Sequence, residues 1–241
     1  MKVKTIIAKV LLLGVGLVPS QLLAQTSLPL SENLINFNSS QGEIFLVESQ
    51  ARQDYIPLSL QFETQDNLAF CGVASIVMVL NALSIPAPTA TEWVRYNRFT
   101  QDNFFDNPNT ENVISKETVS RQGMTLQELG GLLESYPLDV EVYHGGEVSL
   151  EEFRQRIVDN LQQENNFVLV NYLRSSIGQQ RGGHISPIAA YHEESDRFLI
   201  LDVSRYKYPP VWVKAEELWN ATNTIDSTSE KTRGFVLISS Q

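Results

Sequence analysis

A lone cysteine stands at the head of a strongly apolar segment of this chain. Of 241 residues only Cys71 is a cysteine, and residues 73–83 after it are almost all apolar. Such a run predicts a buried helix that begins near Cys71. A thiol at a helix N-terminus lies near the positive end of the helix dipole, which favours the nucleophilic thiolate. Gly72 is expected to keep the approach to the sulfur open. Cys71 is therefore either a catalytic nucleophile or a small buried apolar residue, as free cysteines often are.

The composition is that of an ordinary globular protein, 42% hydrophobic and 19% charged. Its length fits one large domain or two small ones. The formal net charge is −10, from 28 acidic and 18 basic residues, and three of the lysines fall in the first nine residues. A surface this acidic argues against nucleic acid and anionic membranes as partners.

Residues 1–25 have the pattern of a secretory signal peptide. Three lysines form a positive n-region, residues 10–18 form an apolar h-region, and Ala24 offers a small residue for cleavage. An uncleaved N-terminal anchor is the alternative, although the apolar run is short for a transmembrane helix. The signal-peptide interpretation predicts export to the periplasm or cell envelope. In an exported chain, a lone cysteine suggests a reactive thiol or intermolecular pairing.

The first half of the chain predicts helices. Thr89, Thr125 and Ser149 are each followed three residues later by glutamate, which is the capping-box pattern. Apolar residues at helical spacing follow the second and third of these caps. Residues 58–62 alternate in polarity and predict a strand, whereas residues 101–122 are polar and predict a surface excursion.

The second half of the chain predicts strands. Apolar runs that end in polar or glycine-rich turns occupy residues 167–173, 184–192, 197–203 and 234–240. The short connection between the second and third runs fits a hairpin. Helices followed by a mostly antiparallel sheet make an α+β domain. Residues 26–241 are predicted to form this domain as a single unit.

The strand region supplies the partners that a nucleophilic thiol needs. Cysteine catalysis uses an imidazole to take the proton and a third group to orient the imidazole. His184 follows two glycines at the start of a strand, and a hairpin would bring Asp202 beside it. The alternative for Asp202 is a turn residue at a strand end. Gln65, six residues before Cys71, can donate amide hydrogens to an oxyanion. The order glutamine, cysteine, histidine, acid is that of papain-like enzymes.

The sequence predicts no metal site and no resident cofactor. His144 and His192 lie near the ends of predicted elements among polar residues, and both are interpreted as surface or structural histidines. Three scattered histidines and one cysteine match no tetrahedral ligand spacing.

Four stretches of the chain resemble, in order, the catalytic domain of the phytochelatin synthase family. They read A-F-C-G-V-A-S-I-V-M-V-L-N-A-L, G-H-I-S-P-I-A-A-Y-H, L-D-V-S-R-Y-K-Y-P-P-V-W-V and G-F-V-L-I-S-S. The resemblance covers roughly residues 55–240. The most specific is the stretch that begins at Asp202 and continues to Trp212. Members of this family are papain-like in fold and act on glutathione, so the resemblance implies both the fold and the substrate.

The resemblance also implies a role for each catalytic candidate. Cys71 would be the nucleophile, His184 the base, Asp202 the group that orients His184, and Gln65 the oxyanion donor. The implied reaction cleaves the Cys–Gly bond of glutathione and leaves a γ-glutamylcysteinyl thioester, which water or a second glutathione then resolves. The implied partners are glutathione and γ-glutamylcysteinyl peptides, with a homodimer left open. A metal ion would enter only as a metal–glutathione thiolate in the substrate.

Glutathione carries carboxylates and an ammonium group, for which the chain offers several binding candidates. A guanidinium suits a carboxylate, and an aspartate suits an ammonium. The candidates are Asn171, Gly183, Arg205, Lys207, Asp226 and Arg233. The alternative for each charged candidate is a solvated surface group.

The chain matches only the catalytic part of the longer family members. Longer family members add a cysteine-rich C-terminal domain, so this chain resembles the short bacterial form, in which removal of glycine dominates over chain extension.

Two other classes of function remain open. One is a papain-like envelope peptidase that processes Gly-Gly leaders, and the other is a non-catalytic module that binds thiol peptides.

Overall fold

The computed structural model describes residues 27–89 and 96–240. The signal peptide predicted at residues 1–25 and the helix predicted to follow Thr89 lie outside these ranges. Within them, no helix is both long enough and apolar enough to cross a membrane.

The described ranges contain eight α-helices, most of which precede the central strands of the sheet. Their bounds are α1 (Ser40–Glu48), α2 (Tyr55–Leu60), α3 (Cys71–Ala82), α4 (Pro108–Glu111), α5 (Lys116–Gln122), α6 (Leu126–Glu134), α7 (Leu150–Leu161) and α8 (Ala215–Thr222). Capping boxes are present at Thr125 and Ser149, where each hydroxyl accepts from a glutamate backbone N–H three residues later. These caps satisfy orphan donors of the first turn and fix where α6 and α7 begin.

One antiparallel sheet of seven strands forms the other half of the described structure. Its strands are β1 (Ile35–Asn36), β2 (Leu138–His144), β3 (Asn166–Leu173), β4 (Gly183–His192), β5 (Arg197–Ile200), β6 (Val211–Lys214) and β7 (Gly234–Ser240). The order across the sheet is β1-β6-β5-β4-β3-β7-β2, which puts β4 at its centre. The predicted α+β class is confirmed.

The sheet separates two apolar cores. On β3, Phe167 and Leu169 belong to the core that contains α3, whereas Val168 and Val170 belong to the core that contains α7 and α8. Alternate residues of a strand point to opposite faces, so a strand buried on both faces is apolar throughout. Helix α3 is fully buried from Gly72 to Leu80 and packs on β4, which brings the start of α3 to the strand that carries His184.

Two expectations about the helical half are wrong. Residues 58–62 belong mainly to α2 rather than to a strand, because Pro57 lies in the first turn of a helix, where a missing N–H costs nothing. Residues 101–122 form a 3-10 turn and the helices α4 and α5, not a surface excursion. Phe104 and Val119 anchor this segment in the core with no exposed surface. Some of its polar residues, such as Asn107 and Ser115, cap these helices.

Candidate active site

Cys71 is the first residue of α3, and its side chain is partly buried. The helix begins directly after the loop of residues 67–70. A Cβ on Gly72 would lie 2.5 Å from Sδ of Met124, so the space that this glycine leaves is occupied by Met124. Gly72 therefore allows close packing at the helix start, and the predicted opening towards the sulfur has a different origin.

His184 links the thiol to a buried carboxylate. Its Nε2 lies 2.9 Å from Oδ1 of Asp202 and 2.9 Å from the hydroxyl of Ser186. The Cys71 side chain is hydrogen-bonded to the same ring. Because Nε2 is engaged by Asp202, Nδ1 is the nitrogen left to exchange a proton with the thiol. The structure thus brings together the three residues that the sequence analysis selected as a catalytic triad.

The electrostatics of this pair favour a thiolate and an imidazolium. Burial pulls the pKa of Cys71 upward, but the hydrogen bond and the positive charge of His184 outweigh it and hold that pKa below the ordinary value. Burial likewise pulls the pKa of His184 downward, but the charge of Asp202 outweighs it and raises that pKa above the ordinary value. Both shifts favour the thiolate–imidazolium form of the pair, which is the reactive arrangement.

Asp202 is fully buried and keeps its charge through its partners. Burial alone would raise its pKa, but His184 and Arg174 together hold the pKa well below the ordinary range. Arg174 donates from Nη1 to Oδ2 at 2.8 Å and from Nη2 to Oδ1 at 2.9 Å. The backbone N–H of Ser204 adds a bond of 2.8 Å to Oδ1. A carboxylate fixed in this way can hold the His184 ring in one orientation.

Two members of this network, Arg174 and Ser186, were not selected from the sequence. Ser186 lies two residues after His184 on β4, so the period of a strand puts both on the same face, and that signal could have identified it. Arg174 lies 28 residues before Asp202 in the 3-10 turn after β3. No local pattern connects the two, because the contact arises only when β3, β4 and β5 assemble.

Gln65 is held beside the triad by bonds at both ends of its amide. Its Oε1 accepts from the hydroxyl of Ser204, and its Nε2 donates to the carbonyl of Asn67 at 2.7 Å. One hydrogen of Nε2 is used in this way, and the second is available for the oxyanion role that the sequence predicts. The backbone N–H of Cys71, in the first turn of α3, is the natural companion donor.

A cleft of about 680 Å³ opens over the reactive pair. Cys71 and His184 lie in its wall together with the loops before α3 and before α6. Four of the six predicted substrate-binding residues also line it, namely Asn171, Gly183, Asp226 and Arg233.

Arg233 and Asp226 place opposite charges in one part of this cleft. Nη2 of Arg233 lies 4.0 Å from Oδ2 of Asp226. Nη1 is anchored by the carbonyl of Ile225 at 2.6 Å, whereas Nε is buried and has no hydrogen-bond partner within the described structure. A Cβ on Gly183 would lie 3.3 Å from Nη2, so the guanidinium lies close against the β4 backbone. The cleft therefore offers an anchored cation beside an anion.

The other two substrate-binding candidates lie elsewhere. Arg205 is exposed, and its guanidinium lies 4.7 Å from the centre of the Phe62 ring. Lys207 is half-buried in the turn after Ser204. Neither side chain lines the cleft. The buried His144 bonds with Gln127 and the backbone, which is the structural role expected for it.

Comparison with known proteins places these features in a family. The model of the phytochelatin synthase family matches residues 25–235. Glutathione gamma-glutamylcysteinyltransferase 3 of Lotus japonicus is 36% identical over 208 residues, which cover 85% of this chain and 42% of that protein. Glutathione gamma-glutamylcysteinyltransferase 1 of Arabidopsis thaliana is 34% identical over 220 residues, which cover 90% and 44%.

This chain thus spans less than half the length of these curated relatives. Among solved structures, xylellain, a cysteine protease from Xylella fastidiosa, matches with a TM-score of 0.32 and 10% identity over 89% of this chain and 91% of that one. That similarity is too low to bear on the argument. The family match covers most of the described structure, including every residue of the cleft. The chain belongs to the phytochelatin synthase family.

Proposed function

We propose that this chain is a glutathione γ-glutamylcysteinyltransferase that works by acyl transfer through Cys71. One observation carries the proposal. The Cys71 thiol interacts with the His184 ring, and that ring is hydrogen-bonded to the Asp202 carboxylate, beside a cleft that holds both a cation and an anion. The curated relatives are named for this same transfer, which agrees with the geometry.

The first half of the proposed reaction cleaves glutathione. The Cys71 thiolate attacks the carbonyl carbon of the Cys–Gly amide, and the oxygen becomes an oxyanion that the Cys71 N–H and the free hydrogen of Gln65 Nε2 can stabilise. The C–N bond then breaks, and the glycine nitrogen takes its proton from the His184 imidazolium. Glycine leaves, and a γ-glutamylcysteinyl thioester remains on Cys71.

The second half of the reaction resolves the thioester. His184 is now neutral and can take a proton from the incoming nucleophile. Water gives γ-glutamylcysteine, whereas the α-amino group of a second glutathione gives a phytochelatin. The second glutathione can carry its thiol as a metal thiolate, so a metal ion enters as part of the substrate. The first half uses only residues of the protein, and we expect it to proceed without added metal.

The charge pair in the cleft suggests how the substrate is recognised. The γ-glutamyl end of glutathione presents an α-carboxylate and an α-ammonium on the same carbon. Arg233 can bind the carboxylate through its guanidinium, and Asp226 can bind the ammonium. An ordinary α-linked peptide offers no such pair at that position. The amide of Asn171 and the backbone of Gly183 line the same cleft and are candidates to hold the peptide.

The test compares glutathione with its α-linked isomer, α-Glu-Cys-Gly. Glycine release is measured for both, with and without a metal chelator, and the products are identified by mass spectrometry. We expect rapid release from glutathione in chelator, and release from the α isomer slower by about tenfold or more, since one lost charge contact costs ~1.4 kcal/mol or more. Equal cleavage of the α isomer would favour a general peptidase such as a leader-processing enzyme. Absence of any glycine release would favour a binding module.

We also propose that the protein acts outside the cytoplasm, on the strength of the signal-peptide pattern of residues 1–25. Cells that produce the full chain are fractionated, and the N-terminus of the purified protein is sequenced. A shortened protein outside the cytoplasm is expected. Full-length soluble protein in the cytoplasm would contradict the proposal.

A further inference from the structure

A second group of polar side chains lies at the far end of β4 from the triad. His184 is the second residue of β4 and His192 is the last. At ~3.3 Å per residue these positions are roughly 26 Å apart. His192, Glu48 and Glu194 each offer one ligand atom, and the three atoms lie within 4.8 Å of one another. The mechanism proposed above uses none of the three residues.

The His192 ring is held rigidly with one nitrogen directed at this group. The side chain is buried and stacks on Phe45, with the ring centres 4.3 Å apart. Nδ1 lies 2.8 Å from the hydroxyl of Ser195, and Nε2 lies 3.3 Å from Oε2 of Glu48. A ligand imidazole is usually oriented by a bond to its other nitrogen, which is the part that Ser195 plays here.

The bonds of the ring allow it to change from a hydrogen-bond donor to a ligand. The backbone N–H of Ser195 points at Nδ1 at 3.3 Å, so in the ion-free chain the ring proton sits on Nε2 and faces Glu48. When an ion takes Nε2, the ring proton moves by exchange with solvent to Nδ1, where the Ser195 hydroxyl can accept it in place of the bond from the Ser195 backbone N–H. The hydroxyl can serve either form because it both donates and accepts.

The two carboxylates can close the remaining distance. Bonds of 2.0–2.2 Å to a tetrahedral ion separate its ligand atoms by roughly 3.5 Å. Glu48 and Glu194 are exposed, so their flexible ends can move towards Nε2 without disturbing the core. Glu48 is the last residue of α1, and Glu194 lies in the connection between β4 and β5. A shared ion would therefore tie the end of α1 to the sheet.

We propose that Glu48, His192 and Glu194 form a surface zinc site. One imidazole and two carboxylates suit a borderline divalent ion such as zinc, with water in the fourth position. The nitrogen ligand disfavours calcium and magnesium, which prefer oxygen alone. No sequence pattern indicates this site, because Glu48 is 144 residues from His192 and only the fold brings them together. Its expected role is structural and separate from the chemistry at Cys71.

Zinc binding is measured directly in a Cys71→Ser background, which removes the one thiol that would compete for the ion. The assay is competition with a chromophoric chelator, together with thermal melting with and without zinc. We compare Glu194→Gln and Glu48→Gln with Glu193→Gln, which removes the same charge from the neighbouring exposed position. All three are surface changes that leave the core intact.

The expected result is one zinc ion per chain in the background protein and in Glu193→Gln, with a raised melting temperature. Binding should weaken by about tenfold or more in Glu194→Gln and in Glu48→Gln, as expected when a ligand is lost. The proposal is overturned if no stoichiometric binding occurs. It is overturned equally if Glu193→Gln weakens binding as much as Glu194→Gln, or if calcium binds as tightly as zinc with the same dependence on Glu194.

Discussion

Arg174 donates two parallel hydrogen bonds to the carboxylate of Asp202, 2.8 Å from Nη1 to Oδ2 and 2.9 Å from Nη2 to Oδ1. Both side chains are buried, and the guanidinium also lies 5.3 Å from the ring of Tyr208. Asp202 thus meets two cations, Arg174 on one side and His184 on the other. The arginine keeps the carboxylate ionised and in place, so it acts on catalysis through Asp202 and is a positioning residue.

Replacing this arginine should lower the rate and the stability together. In Arg174→Gln the buried Asp202 loses half its charge compensation, which for a buried pair costs ~3 kcal/mol of unfolding free energy. We expect kcat for glycine release to fall by about tenfold or more with little change in KM. The acid limb of the rate profile should move to higher pH, because the pKa of Asp202 is no longer held as low. Urea unfolding and steady-state kinetics measure these effects.

The control for Arg174→Gln is Arg205→Gln, which removes an exposed guanidinium from outside the cleft. It should leave the unfolding free energy within about 0.5 kcal/mol of the parent. If Arg174→Gln loses stability but keeps both kcat and the pH profile, the arginine has only a structural role.

Removing the charge of Asp202 should separate orientation from folding. Asp202→Asn keeps the shape of the side chain but no longer favours the productive form of His184. The rate of glycine release should fall by about 10³-fold or more, while the chain stays folded and Cys71 remains open to alkylation. A loss of less than about threefold would assign Asp202 to a turn role.

The pH dependence should report the coupled pair of Cys71 and His184. The reactive thiolate–imidazolium form exists between the two apparent pKa values of the pair. Because the pKa of Cys71 is lowered, alkylation by iodoacetamide should already be fast well below pH ~8.5, the ordinary value for a thiol. Because the pKa of His184 is raised, glycine release should persist above pH ~6.5 and fall only as the ring loses its proton.

His184→Ala supplies the reference for this profile. Without the imidazolium, burial becomes the main influence on the pKa of the Cys71 thiol and raises it. The rise of the alkylation rate with pH should therefore move to higher pH. An unchanged limb in this variant would mean that the helix start, rather than His184, activates Cys71.

Arg233 should matter for substrate binding and Arg205 should not. Arg233→Gln removes the cation that lies 4.0 Å from Asp226 in the cleft. We expect KM for glutathione to rise by about tenfold or more, which corresponds to the loss of one charge-assisted contact. Arg205→Gln is the matched control and should change KM by less than about twofold. If KM instead rose in Arg205→Gln and not in Arg233→Gln, the substrate carboxylate would bind at the surface around Phe62 rather than in the cleft.

The sequence predicted the parts of this protein whose signals are local. The start of α3 at Cys71, the caps of α6 and α7 and the strands on either side of the hairpin each depend on a few adjacent residues. The proximity of His184 to Asp202 followed from the short connection between β4 and β5. The α2 segment was mistaken for a strand because its six residues are too short to show a helical period.

The features that sequence reasoning missed are set by packing between distant segments. Arg174 reaches Asp202 only after three strands align, and the buried Phe104 and Val119 stand alone among polar neighbours in the sequence. The space beside Gly72 was interpreted as access for the substrate, yet it is occupied by Met124, which is 52 residues away in the chain. Neither spacing nor periodicity encodes such contacts, because each depends on the finished core.

The central claim is that glutathione acylates Cys71 with loss of glycine, and mass spectrometry of the intact protein tests it most directly. The protein is mixed with glutathione, the reaction is quenched in acid within the first turnovers, and the mass of the intact protein is measured. We predict an added γ-glutamylcysteinyl group that maps to Cys71, is released by hydroxylamine as a thioester should be, and forms together with free glycine. Cys71→Ser should show neither adduct nor glycine. Continued glycine release by Cys71→Ser, or an adduct that retains the glycine, would contradict the mechanism.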